Sequence, residues 1–138
     1  MTGVRLRIGS RAERRRVFDA AAVAAYRRLS GDRGLGFGAP DGVPGPLLAG
    51  MISDLLGTEL PGPGTMWMKQ DLHFPAAAPV GEEVVAAVEV IRLRPEKGLV
   101  DLATSCAAGG GEVLLGRALV LVPDLADRTI SGTAPERR

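Results

Sequence analysis

Cysteine and histidine are almost absent from this 138-residue chain: Cys106 and His73 are the sole examples of each. A single thiol cannot form an intramolecular disulfide, and one thiol with one imidazole excludes a multi-ligand zinc site of the Cys/His type. Aromatic residues make up 4% of a chain that is 46% hydrophobic, so its core must be built from Leu, Val, Ile and Ala rather than from rings. Apolar runs of membrane-spanning length are missing, as are the charged, apolar and small-residue regions of a secretory leader. These absences describe a soluble chain that does not engage a membrane and suits a reducing cytoplasm. The length fits one domain with a real core and no need of a metal.

Net charge is +1, but it is unevenly spread. Residues 1–33 carry nine arginines against Glu13, Asp19 and Asp32, a net of +6, which leaves −5 for the remainder. A basic end of this kind suits a phosphate-bearing partner, whether nucleic acid, CoA or the acidic surface of an acyl carrier protein, or is simply a solvated face.

Along the chain, "VRLRIG" at 4–9 alternates apolar and charged residues as a half-buried strand does. Asp19 is placed to cap a helix over 20–29, with Phe18 as a staple. Residues 30–43 are rich in Gly, Asp and Pro and read as a loop. The strongest helix is "PGPLLAGMISDLLG" at 44–57, where Leu47, Leu48, Met51, Ile52, Leu55 and Leu56 recur at spacings of three and four. Pro46 suits its first turn and Gly57 its end. Strands are expected at 65–74, 83–94, 99–107 and 112–122, with "PEKG" and "GGG" as hairpin turns. Residues 1–123 form the expected domain, and 124–138 a flexible tail with no packing pattern.

A long helix that is apolar on nearly every side, followed by antiparallel strands, can bury its surface only if the sheet curls around it. This α+β arrangement is the hotdog fold. It leaves an edge strand, which a second copy would cover, so a homodimer with a continuous sheet is expected.

With those elements in place, the chain resembles the MaoC-like hydratases, and within them the (R)-specific enoyl-CoA hydratases. "FDAAAVAAYRRLSGD" is similar to that family's lead-in to its catalytic loop, "VPGPLLAGMISDLLGTELPGPGT" to its central helix, and "LVDLATSCAAGGGEVLLGRALVLVP" to its closing strands. The resemblance covers about residues 17–123 and implies lyase chemistry on an enoyl thioester of CoA or acyl carrier protein, with no cofactor and no metal. The family motif runs Gly-Asp-x-Asn-Pro-x-His, and its Asp and His hold and deprotonate the water that adds to the β-carbon. Here Gly31 and Asp32 match, while Phe37 occupies the histidine position and Pro44 that of a second histidine.

The resemblance therefore implies Asp32 as the catalytic residue. It implies the Gly45 N–H, at the start of the central helix, as the group that polarises the thioester carbonyl, since a helix N-terminus favours negative charge. Ser53 would contact substrate from the same helix, and Phe37 would reshape the tunnel. The alternatives for Asp32 and Ser53 are backbone hydrogen bonds within their own loop and turn. His73 shares a strand with Asp71, Lys69 and Trp67 at even offsets, which sets all four on one face opposite Met66, Met68, Gln70, Leu72 and Phe74, and makes it a solvent-side neighbour rather than a catalyst. Cys106 reads as a small core residue. Three functions stay open: an enzyme on enoyl thioesters that adds water or another nucleophile or cleaves the thioester; an inactive hotdog subunit; and a module whose pocket binds an unrelated small molecule.

Overall fold

Helix formation at the centre of the chain follows from spacing. In the computed structural model, which describes residues 5–34 and 42–129, Leu48, Met51, Ile52, Leu55 and Leu56 are all buried on a helix, α2, spanning Gly45–Thr58. Ahead of it lie strand β1, Arg11–Val17, and helix α1, Ala20–Ser30; after it come β2, Met66–His73, β3, Glu83–Arg94, β4, Leu99–Ala108, and β5, Gly111–Leu121. The expected strands thus appear within about two residues of their predicted ends, an ordinary boundary error.

All five strands form one antiparallel sheet in the order β1-β3-β4-β5-β2. The core face is set by alternation: Val84, Ala86, Val88 and Val90 of β3 stand opposite Ala108, Cys106, Thr104 and Leu102 of β4, and all eight are buried. Helix α2 packs on β3 and β4 and also touches β1 and β2, the two edges. Four inter-strand gaps span about 19 Å at the usual spacing, whereas a helix is only about 10–12 Å across. Contact with both edges therefore requires the sheet to curl, as the sequence implies.

Two expectations at the ends of the chain change. The alternation of residues 4–9 predicts a strand there, but the strand lies at Arg11–Val17, and Gly9, with φ of 92°, turns the chain between the two segments. The more charged stretch is an edge strand that pairs residue by residue with β3 and packs Ala12 against the core, while its guanidinium groups stay at the surface near carboxylates: Arg11 faces Glu89 across the ladder, and Arg15 lies 3.0 Å from Glu83. At the other end, the tail expected from residue 124 packs instead. Leu125 and Arg128 of a short helix, α3, Leu125–Arg128, are buried, and Leu6 bridges to Thr129. The Leu6 N–H donates to the Arg128 carbonyl at 2.7 Å, while the Arg128 guanidinium donates to the Pro61 carbonyl and pairs with Asp124. Residues 130–138 lie outside the described residues.

Ile52 is fully buried in the middle of α2. Ile52→Ala removes its packing from several strands at once and is expected to lower the unfolding free energy by about 3 kcal/mol, read from urea denaturation at fixed protein concentration.

Candidate functional site

Helix α1 delivers Asp32. Its start is capped as the sequence predicts, with the Ala22 N–H donating to the Asp19 carboxylate at 2.8 Å. Its end is closed by Gly31 in a left-handed conformation, φ 80°, whose N–H donates to the Arg27 carbonyl. That turn places Asp32 one residue past the helix. The Ser30 hydroxyl donates to the Tyr26 carbonyl and accepts from the Asp32 N–H, which fixes the backbone of the turn.

Both oxygens of the exposed Asp32 carboxylate are engaged. Oδ1 accepts the Gly34 N–H at 2.9 Å, and Oδ2 accepts the Tyr26 hydroxyl at 3.0 Å. The Gly34 N–H is the chief cause of a carboxyl pKa held below its ordinary value, the Tyr26 hydroxyl adds to it, partial desolvation opposes it, and the positive charge of Arg27 assists. Asp32 is therefore an ionised, oriented acceptor at neutral pH. It also bonds its own loop, so the structural and the chemical alternatives for this residue coexist.

At the start of α2 no side chain caps the helix, since Pro44 occupies the cap position. The first turn of any helix presents N–H groups without intrahelical partners. Gly45 sits there with the Phe74 ring against it: a Cβ at position 45 would stand 2.9 Å from the Phe74 Cζ. Ser53 lies further along α2 on its exposed side, as do Gly50 and Gly57, and does not face the core. Among the described residues, the hydrogen bonds to the Asp32 carboxylate all come from within residues 26–34. Phe37 lies outside the described residues.

The edge strand β2 differs from the simple alternation. A bulge between Trp67 and Lys69 places Trp67 opposite buried Val120, and Gln70 opposite buried Ala118, so both face the core side. The Trp67 indole donates to the Gln70 side chain, which in turn donates to Thr104. Lys69, Asp71 and His73 remain together on the outer face, but Trp67 leaves their company and Met66 leaves that of Gln70 and Phe74. Asp71 and Lys69 border a small polar depression of about 100 Å³ with Asp101 and Arg117. The Cys106 thiol is buried and its pKa is pushed up to about 12 by desolvation, so it is an inert core group.

Part of the basic bias near the N-terminus is offset in space, among the described residues at three of its nine arginines. Arg14 pairs with Asp54 and Glu59, Arg15 with Glu83, and Arg11 with Glu13 and Glu89. Among the described residues, no group of three or more His, Cys, Asp or Glu side chains could hold a metal, and no helix is long and apolar enough to cross a membrane. Sequence reasoning missed the contacts of Tyr26 with Asp32 and of Phe74 with Gly45. Tyr26 is the sole tyrosine, six residues before Asp32, and that isolation was the available signal.

No protein-family model matches the chain. It is 37% identical over 135 residues to the (R)-specific enoyl-CoA hydratase of Aeromonas caviae, a match that covers 89% of this chain and 100% of that protein. A solved structure of an (R)-hydratase from A. caviae involved in PHA biosynthesis superposes with a TM-score of 0.78 at 38% identity, over 86% of this chain and 98% of the other. The (R)-specific enoyl-CoA hydratase of Rhodospirillum rubrum is 47% identical over 79 residues, or 57% of this chain. The chain spans about half the length of some curated relatives, 55% in that case and 48% for the 3-hydroxybutyryl-CoA dehydratase of Methylorubrum extorquens.

The close approach of Phe74 to Gly45 is open to a direct check. Gly45→Ala is expected to cost about 1–3 kcal/mol through overpacking, and less than half of that in a Phe74→Leu background. A double-mutant cycle by urea denaturation measures the coupling.

Proposed function

This chain belongs to the (R)-specific enoyl-CoA hydratase family, and we propose that it adds water to an α,β-unsaturated acyl thioester, or removes it in reverse. The observation that carries this reading is the match over the whole length of the Aeromonas caviae protein. Asp32 holds the nucleophilic water and accepts its proton. The N-terminus of α2 at Gly45 faces the thioester carbonyl, where its N–H groups and dipole favour the enolate that forms as water adds to the β-carbon. Ser53 contacts the substrate from α2, and Phe37, in the position of the family's histidine, shapes the tunnel. The carrier is CoA or an acyl carrier protein. The site uses no cofactor.

The functional unit we propose is a homodimer. Edge strand β1 is lined with charge, which discourages further pairing, whereas edge strand β2 bears Met66, Trp67, Met68 and Leu72, with Phe74 just past its end, each 40–55% exposed. An apolar edge of this kind is stabilised by antiparallel pairing with the same strand of a second copy. A mass of twice the chain by sedimentation equilibrium is expected; a monomer at micromolar concentration would remove the dimer from the proposal. Pairing of Arg11, Arg14 and Arg15 with carboxylates reduces the basic surface open to nucleic acid, which the proposal leaves out as a partner, and the buried free thiol of Cys106 suits a reducing cytoplasm.

The activity is tested by incubating the purified chain with crotonyl-CoA and with a crotonyl-carrier protein, with and without added amines, and following the products by mass spectrometry. Gain of one water is expected, and Asp32→Asn is expected to reduce it by at least about a hundredfold. Gain of an amine would replace water as the nucleophile, and release of free acid would make the protein a thioesterase. An unchanged thioester with both carriers would support an inactive subunit or a small-molecule-binding module, to which the Phe at position 37 also points.

A further inference from the structure

The mechanism above leaves the Tyr26 hydroxyl without a role, and the packing of the turn does not require it. The end of α1 is closed by the Gly31 N–H on the Arg27 carbonyl, and the Asp32 N–H is satisfied by Ser30. Tyr26 nevertheless directs its hydroxyl to Asp32 Oδ2 at 3.0 Å, while the Gly34 N–H holds Oδ1. Two donors on the two oxygens fix the carboxylate plane, leaving the remaining lone pairs for a water.

We infer that Tyr26 is the positioning residue of the Asp32 carboxylate and occupies, in this chain, the place of a donor partner in the acid/base pair. The inference rests on the hydratase reading of Asp32. A phenol suits the position differently from an imidazole. A neutral phenol donates a hydrogen bond without taking up a proton, whereas an imidazole changes state near pH 6.5. With the hydroxyl donating, Asp32 alone sets the acid limb of the rate.

The groups that bear on the carboxylate are the Tyr26 hydroxyl, the Gly34 N–H and the Arg27 guanidinium, whose Nη1 lies over Gly34. All of them favour the ionised form. The sign follows: activity is full at neutral pH and is lost as pH falls through a carboxyl pKa below the ordinary value of about 4. Between about pH 5.5 and 7.5, where an imidazole would titrate, the kcat profile of this chain is expected to be flat.

Tyr26→Phe keeps the half-buried ring and removes only the donor, so folding is preserved. In the full-length chain, the Asp32 carboxyl is followed by carbon-detected NMR titration, and kcat and KM for crotonyl-CoA hydration are measured against pH. The substitution is expected to raise the carboxyl pKa, to move the acid limb of kcat in the same direction, and to lower kcat about three- to tenfold with KM little changed. A carboxyl titration that does not respond overturns the inference whatever the turnover. A carboxyl that responds while the acid limb stays in place overturns the role of the contact in the reaction, as does an inflection of the wild-type profile near pH 6.5. Turnover undiminished in Asp32→Asn, or no water added by the wild-type chain, sinks the hydratase reading instead, and the titration still reports separately on the contact.

Discussion

Burial of α2 is the constraint on which the rest of the structure depends. Its buried positions recur at intervals of three and four, from Leu48 through Leu56, and it meets strands as far apart as the two sheet edges. A flat sheet would leave part of that helix in water, so the curl is the geometric consequence of an apolar helix that is too wide in its apolar arc for one flat surface. Small residues on the core face, Ala86, Ala118 and Cys106, let the helix approach: the Cys106 sulfur lies 3.8 Å from the Leu48 carbonyl oxygen. The same placement carries the helix N-terminus to the Phe74 end of β2, and with it the Gly45 backbone. Position in the core and position in the site are thus set by one packing event.

The curl also creates two edges, and the chain treats them in opposite ways. At β1, seven residues include four arginines and a glutamate, and cross-strand carboxylates meet two of those arginines, Arg11 and Arg15. Exposed ion pairs of this sort contribute little to stability individually. Their effect lies in solvating an edge that would otherwise template another strand. Edge strand β2 has no such protection on its core side, where Trp67, Leu72 and Phe74 remain partly open. The bulge at Trp67 increases that apolar surface by turning the indole inward toward Gln70.

The sequence made the centre of this fold legible and its borders less so. Periodicity identified α2 and four strands because each has one consistently apolar face, and Asp19 marked the start of α1 through a hydrogen bond that is local in sequence. The first strand escaped because "RAERRRV" has no consistent apolar face to read; its place is set by ladder pairing with β3, about seventy residues away. The end of the chain escaped for a related reason. Leu125 and Arg128 are ordered by Leu6, Asp124 and the Pro61 carbonyl, and a single four-residue turn carries no periodic signal. In β2, strict alternation assigned Met66 and Trp67 to the wrong faces because one bulge shifts every residue before it. In the candidate site, the Gly31-Asp32 pair was legible at the end of α1, whereas the Tyr26 contact lies outside the family motif; the sole imidazole, His73, stands on the outer face of β2 as its even offset from Asp71 and Lys69 implies.

That last point bears on how a family scaffold changes its chemistry. A carboxylate that must accept a proton from water needs basicity and orientation, and the two compete. Each donor placed on Asp32 fixes its direction but stabilises its charge, so the better it is held the weaker a base it becomes. An imidazole partner eases the conflict, because it can take the proton itself. A phenol cannot do so at neutral pH and contributes orientation alone. On the proposed reading, a site built from Asp32 and Tyr26 would depend more heavily on stabilising the enolate at the far end of the reacting system. In that proposal the α2 start, with no side-chain cap and with glycine at position 45, is where the positive end of the helix would meet the carbonyl oxygen.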